Sequence, residues 1–470
     1  MNKKLYITTP IYYANDVPHI GHLFTTTFAD ALARYYRKQL GSENVYFTTG
    51  LDEHGTTVEE SAKKKGYPDL QKFVDERAEF WQKAFNDTNI SYDYFVRTTH
   101  KDHVKFSQNF IRKMVKAGDI YQGTYKGKYC YGCEKFLTMS DQNEDGFCPL
   151  HRPDQVIDVK EKNYYFKLSK YAPKVKELIE SGEIDLKPES KKNEILARIA
   201  QGVEDQSISR PISKVSWAVE FPDDSEQGVY VWVEALLNYL SSLEINNKRE
   251  LWDGAFHIVG KEINWFHNVI WPAMLLSAGY PLYKRSFVHS FINIGGRKIS
   301  KSLGNVISPA ELISKYGIDG SRYLLLANTP YKDDIDITWE ALDARYNSDL
   351  ANGLGNLVSR TAKLAGAISG LPLKGLPLSD EVKKAYEELR FQDVISEIQK
   401  LVKEANEYLD ARTPWKLEGK ERDEVIKEVI KKILKIAFVA DPIIPKTAEK
   451  IKEIFSASKI EPTEALFKRI

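Results

Sequence analysis

Two histidines, His19 and His22, stand three residues apart in the stretch His19-Ile20-Gly21-His22, directly ahead of an amphipathic run. At that spacing two imidazoles lie about one helical turn apart and can address one ligand. Three roles fit them: ligands to a metal ion, donors to a phosphate at a helix start, or residues that simply begin a helix. Gly21 has no Cβ, so a flat or bulky ligand can lie against the backbone there. Further along, GGRKISKSLGN (295–305) gathers Lys298, Ser300, Lys301 and Ser302 in a glycine-flanked polar stretch. Flexible ammonium groups suit a polyphosphate, and a loop opened by Gly295-Gly296 can close over one. A solvated basic turn has the same composition. The chain's three cysteines, Cys130, Cys133 and Cys148, are clustered, and His151 completes a Cys-x2-Cys-x14-Cys-x2-His pattern. Two ligand pairs at this separation suit tetrahedral zinc, and four protein ligands leave no open position, so the site reads as structural.

These residues need elements to hold them. LYITT (5–9) and NVYFTTG (44–50) read as buried strands, rich in β-branched and aromatic residues. Between them Phe24, Phe28, Leu32 and Tyr35/Tyr36 recur at helical spacing, which makes the start a βαβ unit. In such a sheet, ligands sit where strand C-terminal ends meet helix N-termini, the place that His19, Gly21 and His22 occupy. From about residue 116 to 225 the texture changes to short aromatic and glycine-rich runs followed by charged helical stretches, the mark of an insertion. Strand-like AFHIVG (255–260) and SFVHSFINIG (286–295) resume the α/β pattern. Beyond 351 the period is helical, broken at Pro372, Pro377, Pro414 and Pro442. The expected architecture is an α/β, Rossmann-like parallel-sheet domain with an inserted zinc-knuckle module, followed by an α-helical bundle. Its expected divisions are 1–115, 116–225, 226–295, 296–350 and 351–470.

The chain has 470 residues, 42% of them hydrophobic and 28% charged, which suits a soluble globular protein of several domains. A net charge of +1 points to no bulk affinity for nucleic acid, so an RNA partner would be met by local sites. The N-terminal stretch lacks the apolar core of a secretory signal, and NVIWPAMLLSAGYPLY is too short for a membrane span. With cysteines kept for metal, the expected compartment is the reducing cytoplasm.

Taken together and in this order, the motifs resemble those of the class I aminoacyl-tRNA synthetases, whose HIGH signature is matched at 19–22 and whose KMSKS signature appears as KISKS. TTPIYYAND, GLDEHGT (50–56), YVWVEALLNYL (230–240), GKEINWFHNVIWPAML (260–275), NLVSR (356–360) and PW (414–415) narrow the resemblance to the methionyl-tRNA synthetase family. The resemblance implies a ligase that joins methionine to ATP and passes the methionyl group to the 3′-end of tRNA(Met), initiator tRNA included. It implies that His19 and His22 donate to the α- and β-phosphates. Lys301, assisted by Lys298, stabilises the leaving pyrophosphate, with Gly21 and Ser300 also against ATP. Magnesium enters with ATP and needs no protein cage. In the implied methionine pocket, Tyr13 and His267 approach the thioether sulfur, and Asp52 receives the ammonium. Ile11, Trp232, Ala235, Tyr239, Ile263 and Trp271 line the rest. Glu234 stands where the family's pattern has Asp. Asn356, Arg360 and Trp415 match the readers of the CAU anticodon, where stacking on indole and edge hydrogen bonds suit unstacked bases. Some editing of homocysteine as its thiolactone is also implied, since one methyl separates the two amino acids by only ~1–3 kcal/mol. A monomer is expected, because no dimerising appendage follows the bundle.

Other readings compete. A metal-dependent hydrolase could use His19, His22, Asp52 and His54 as a two-metal cage, and a class I synthetase for another amino acid would share the nucleotide chemistry. The hydrolase leaves KISKS, the zinc knuckle and the Asn/Arg/Trp set unexplained.

Overall fold

The computed structural model describes residues 4–137, 141–298, 307–329, 331, 333–366, 368–373 and 376–470. The chain gathers into two compact units. One comprises Met1–Val17, Ser42–Lys83 and Tyr92–His289, and the other Pro18–Gly41, Ala84–Ser91 and Ser290–Ile470. The helix that carries His22 thus groups with the C-terminal part of the chain.

The first unit is built on a six-stranded parallel sheet. Its strands are β1 (Leu5–Tyr13), β2 (Val45–Asp52), β3 (Tyr94–Arg97), β4 (Asp185–Lys187), β5 (Ala255–Gly260) and β6 (Arg285–His289), in the order β3-β2-β1-β5-β6-β4. β2 is buried at seven of eight positions and β5 at every one. Burial on both faces explains why they read as continuous apolar runs and not as alternating ones. The strand order reverses between β1 and β5, so the crevice beyond their C-terminal ends is where a ligand belongs in such a sheet. β1 runs four residues past the apolar LYITT. Its pairing with β2 shifts between Thr8 and Ile11, at Pro10, which has no N–H to give the ladder. The shift sets Tyr13 opposite Asp52, so both side chains leave adjacent strand ends.

The insertion is a separate antiparallel sheet. Long strands Ile120–Cys130 and Val156–Phe166 pair along their whole length, flanked by Lys135–Leu137 and Gln206–Ser207. The apolar stretch around Trp271 is interrupted by a π-helical turn, Phe266–Ile270, before the helix Trp271–Ser277. Among the described residues no helix is long and apolar enough to cross a membrane.

In the second unit, helix α1 spans Ile20–Leu40. SFVHSFINIG does not form one strand. It divides into β6 and β7 (Ile292–Ile294), and β7 lies in a three-stranded sheet with β8 (Arg297–Lys298) and β9 (Ile335–Ile337). Gly295 and Gly296, with φ of 61° and 72°, make the two-residue turn between β7 and β8. Positive φ at both central positions is what a tight hairpin with matching twist requires. Helix α2 (Pro309–Ala327) follows, opened by a capping box between Ser308 and Glu311. The C-terminal bundle consists of α3 (Asn356–Ala365), α4 (Asp380–Glu387), α5 (Phe391–Arg412), α6 (Gly419–Ala440) and α7 (Pro445–Ser456). Arg322 and Asp30, both fully buried, are joined at 2.6 Å, and the guanidinium also donates to the carbonyls of Pro442 and Ile443.

Candidate active site and metal-binding cluster

In the first unit, the end of β1 meets a wall of aromatic side chains. Tyr13 and Trp232 make an edge-to-face pair at 6.2 Å, and Trp232 stacks on Phe266 with centroids 4.2 Å apart. Tyr239, on the helix Asn238–Ile245, lies 6.2 Å from the Trp271 ring, and its hydroxyl is 2.7 Å from His267 Nε2. His267 Nδ1 is 3.0 Å from the Ile263 carbonyl. A carbonyl only accepts, so the proton is on Nδ1 and Nε2 accepts from Tyr239. Burial holds this imidazole down to about 4, and it is neutral at physiological pH. His267 therefore orients Tyr239 and has no N–H left for a ligand. The Tyr13 hydroxyl is different: it is buried and has no hydrogen-bond partner among the described residues. Ile11, two residues before Tyr13, pairs with Gly50, and the Ala235 carbonyl accepts from Asn238.

Beside the wall lies a group of buried carboxyls. Asp52 is 3% exposed, and its Oδ1 has no hydrogen-bond partner among the described residues. Burial first, then the nearby carboxylates of Glu234 and Glu134, push its carboxyl well above the usual range. Among the described residues no cation pairs with it. Glu234 is the opposite case. Burial would raise it, but His54 and His103 outweigh that and hold it at about 2. Its Oε1 lies 2.8 Å from His103 Nε2 and 3.3 Å from His54 Nδ1. His54 is thus engaged by Glu234 and by Thr98 at 3.3 Å.

The cysteine pattern converges. The ligand atoms of Cys130, Cys133, Cys148 and His151 all lie within 4.8 Å of one another. Cys133 Sγ is 3.6 Å from Cys148 Sγ, and His151 Nδ1 is 3.2 Å from Cys133 and 3.7 Å from each of the other two sulfurs. Tetrahedral zinc with metal–ligand bonds of about 2.0–2.3 Å holds its ligand atoms about 3.5–3.8 Å apart. The cluster can hold a metal ion. A Cβ on Gly132 would meet the His151 ring at 2.3 Å, so position 132, just before the second cysteine, requires glycine. Among the described residues this is the one group of His, Cys, Asp and Glu side chains gathered for a metal.

In the second unit, His19 is the N-cap of α1. Its Nδ1 accepts from the Gly21 N–H at 3.1 Å, and His22 Nδ1 accepts from the His19 N–H at 3.3 Å, a reciprocal capping box made by two imidazoles. The rings stack at 3.8 Å. With Nδ1 accepting in both, the neutral rings carry their proton on Nε2, which makes each an Nε2–H donor. The Ile20 N–H donates to the Ile307 carbonyl at 2.9 Å, so the tip of α1 is joined to the segment that leaves residues 299–306. Lys298 belongs to β8, and Ser300, Lys301 and Ser302 lie outside the described residues. In the bundle, Asn356 is exposed on α3. Arg360, one turn on, binds Asp410 at 2.8 Å and lies 5.8 Å from the Trp415 ring centroid. Trp415 is 49% exposed.

Sequence reasoning passed over Phe266, His103 and Glu134. His103 and Phe266 carried no spacing signal. Glu134 did carry one, for it directly follows the second cysteine of the knuckle.

Residues 5–158 and 152–362 match the family described as tRNA synthetases class I (M), and residues 378–468 match the anticodon-binding domain of tRNA ligase. The methionine–tRNA ligase of Thermotoga maritima is 40% identical over 95% of this chain and 74% of its own length. That of Rickettsia conorii is 36% identical over 100% of this chain and 96% of its own. A solved methionyl-tRNA synthetase of Mycobacterium tuberculosis in complex with methionyl-adenylate superposes with a TM-score of 0.89 at 30% identity, covering 99% of this chain and 100% of that one. The chain belongs to the methionine–tRNA ligase family of class I tRNA synthetases.

Proposed function

We infer that this chain is a methionine–tRNA ligase. It joins L-methionine to ATP to give methionyl adenylate and pyrophosphate, then transfers the methionyl group to the 3′-end of tRNA(Met), initiator tRNA included. One observation carries the choice of amino acid: at adjacent strand ends, a buried Asp52 oxygen without a partner accompanies an aromatic wall whose Tyr13 hydroxyl is equally unpartnered. An amino-acid ammonium supplies the cation that Asp52 lacks. A thioether fills the apolar wall, and its sulfur is a weak acceptor for the Tyr13 hydroxyl. Ile11, Trp232, Ala235, Ile263 and Trp271 line the remainder, with Tyr239 held by His267.

In the first step the methionine carboxylate oxygen attacks the α-phosphorus and pyrophosphate leaves. Positioning and charge stabilisation suffice for such an in-line displacement. His19 and His22 donate Nε2–H to the phosphates over Gly21, at a helix start whose N–H groups and dipole favour anions. Lys301, assisted by Lys298, stabilises the departing pyrophosphate, Ser300 lies against ATP, and magnesium accompanies ATP. Asn356 and Arg360 read anticodon edges while Trp415 stacks a base. Cys130, Cys133, Cys148 and His151 hold one structural zinc. The protein acts in the cytoplasm as a monomer.

Charging assays test this reading. A tRNA carrying the CAU anticodon should accept methionine from the enzyme, and the same tRNA with an altered anticodon should accept far less. Equal charging of both would overturn the anticodon assignment, and no charging of either would overturn the activity.

A further inference from the structure

The knuckle does more than fold upon itself. Glu134, the residue after its second cysteine, is fully buried and held at a φ of 48°, a left-handed conformation that a residue with a side chain adopts only when its surroundings enforce it. Its Oε1 accepts from the Thr56 hydroxyl at 2.9 Å and from the Thr57 N–H at 2.5 Å. These two residues begin the helix Thr56–Lys64, four positions beyond Asp52. Its Oε2 rests against Gly55, where an added Cβ would come within 2.3 Å. The main chain on either side is used as well. The Glu134 carbonyl accepts from the Tyr230 hydroxyl at 2.6 Å, and the Cys133 carbonyl accepts from the Trp232 indole N–H at 3.2 Å. The Tyr131 carbonyl accepts from the Thr57 hydroxyl at 3.2 Å. Three residues of the insertion, Tyr131, Cys133 and Glu134, thus grip both the segment that follows Asp52 and the aromatic wall that includes Trp232.

We propose that Glu134 is a positioning residue for methionine binding: its carboxylate fixes the segment behind Asp52 while the adjoining Cys133 carbonyl fixes the Trp232 indole, so the inserted module sets the shape of the amino-acid pocket. The inference rests on reading that pocket as the methionine site. A buried carboxylate taking two hydrogen bonds at one oxygen is costly to replace with an apolar group, because Thr56 and the Thr57 N–H lose their acceptor. The effect should fall on the amino acid and not on the nucleotide, whose phosphate-binding residues lie in the second unit.

ATP–pyrophosphate exchange with the full chain separates the outcomes. Glu134→Ala should raise KM for methionine by at least about tenfold, with KM for ATP within about twofold and kcat reduced far less. Glu134→Gln keeps an oxygen acceptor facing Thr57 and should restore KM for methionine to within about threefold of the unaltered chain. Thr56→Val removes one of the two bonds and should give a smaller rise in the same direction, which keeps the test open if Glu134→Ala does not fold. The proposal is overturned if Thr56→Val and Glu134→Ala leave KM for methionine unchanged. It is equally overturned if KM for ATP rises as much, or if Glu134→Gln is as impaired as Glu134→Ala. Absence of methionine-dependent exchange in the unaltered chain would instead remove the functional reading beneath it.

Discussion

Asp52 and His267 show how burial sets the chemistry of single residues here. Asp52 has an oxygen without a partner and a carboxyl pushed up by burial and by Glu234 and Glu134. A bound ammonium relieves both. Asp52→Asn keeps the shape and removes the charge, so KM for methionine should rise roughly tenfold to 150-fold, the worth of about 1.5–3 kcal/mol for a hydrogen bond to a charged group. An unchanged KM would show that the ammonium is met elsewhere. His267 makes a different prediction. Its folded value of about 4 lies below the ordinary 6.5, so the folded state resists a proton that the unfolded chain accepts. Its contribution is therefore present above pH 6.5 and is lost progressively as pH falls towards 4. Denaturant titrations at pH 7 and pH 5 should show stability lost on acidification, and His267→Gln should lose less. Asp52 works in the opposite sense, gaining its proton first in the folded state, so the difference between the two proteins isolates the imidazole. Equal acid sensitivity in both would contradict the assignment.

The elements explain what the sequence showed and what it concealed. β5 was legible to the residue because its six positions are all buried and bounded by a turn. The run SFVHSFINIG looked like one strand because periodicity cannot register that neighbouring residues join two different sheets. The spacing of Cys130, Cys133, Cys148 and His151 announced their convergence, since tight turns fix local ligand pairs. Glu134's grip on Thr56 and Thr57 stayed hidden, because it joins residues 77 and 78 positions apart. Metal analysis should find one zinc per chain, and Cys148→Ser should lose it together with thermal stability. Full metal content in that variant would mean the ion binds elsewhere. The tip of α1 combines two duties in one side chain, since His19 caps the helix through Nδ1 and is assigned to phosphate through Nε2. His19→Asn retains a good cap and should keep stability while exchange activity falls strongly. His19→Ala should lose activity and about 1 kcal/mol of stability as well. If His19→Asn remains fully active, the imidazole serves the cap alone.

At the scale of the whole molecule, the sequence divides into stretches that the fold regroups. HIGH lies near the N-terminus, yet its helix belongs with the unit that contains residues 290–470, and Ile20 is joined to Ile307 just beyond KISKS. Neither composition nor periodicity carries that regrouping, which depends on which long-range packing wins. The exposed Trp415 beside Arg360 lies in this same unit, within the part matched to the anticodon-binding domain. Trp415→Ala should weaken charging of tRNA several-fold while leaving pyrophosphate exchange intact, because the first step needs no tRNA. If both fall together, the indole is structural. The most direct test of the whole account is amino-acid-dependent ATP–pyrophosphate exchange, measured with each of the twenty amino acids in turn. Strong exchange is expected with methionine and little with the other nineteen. Exchange driven by another amino acid, or by none, would contradict it.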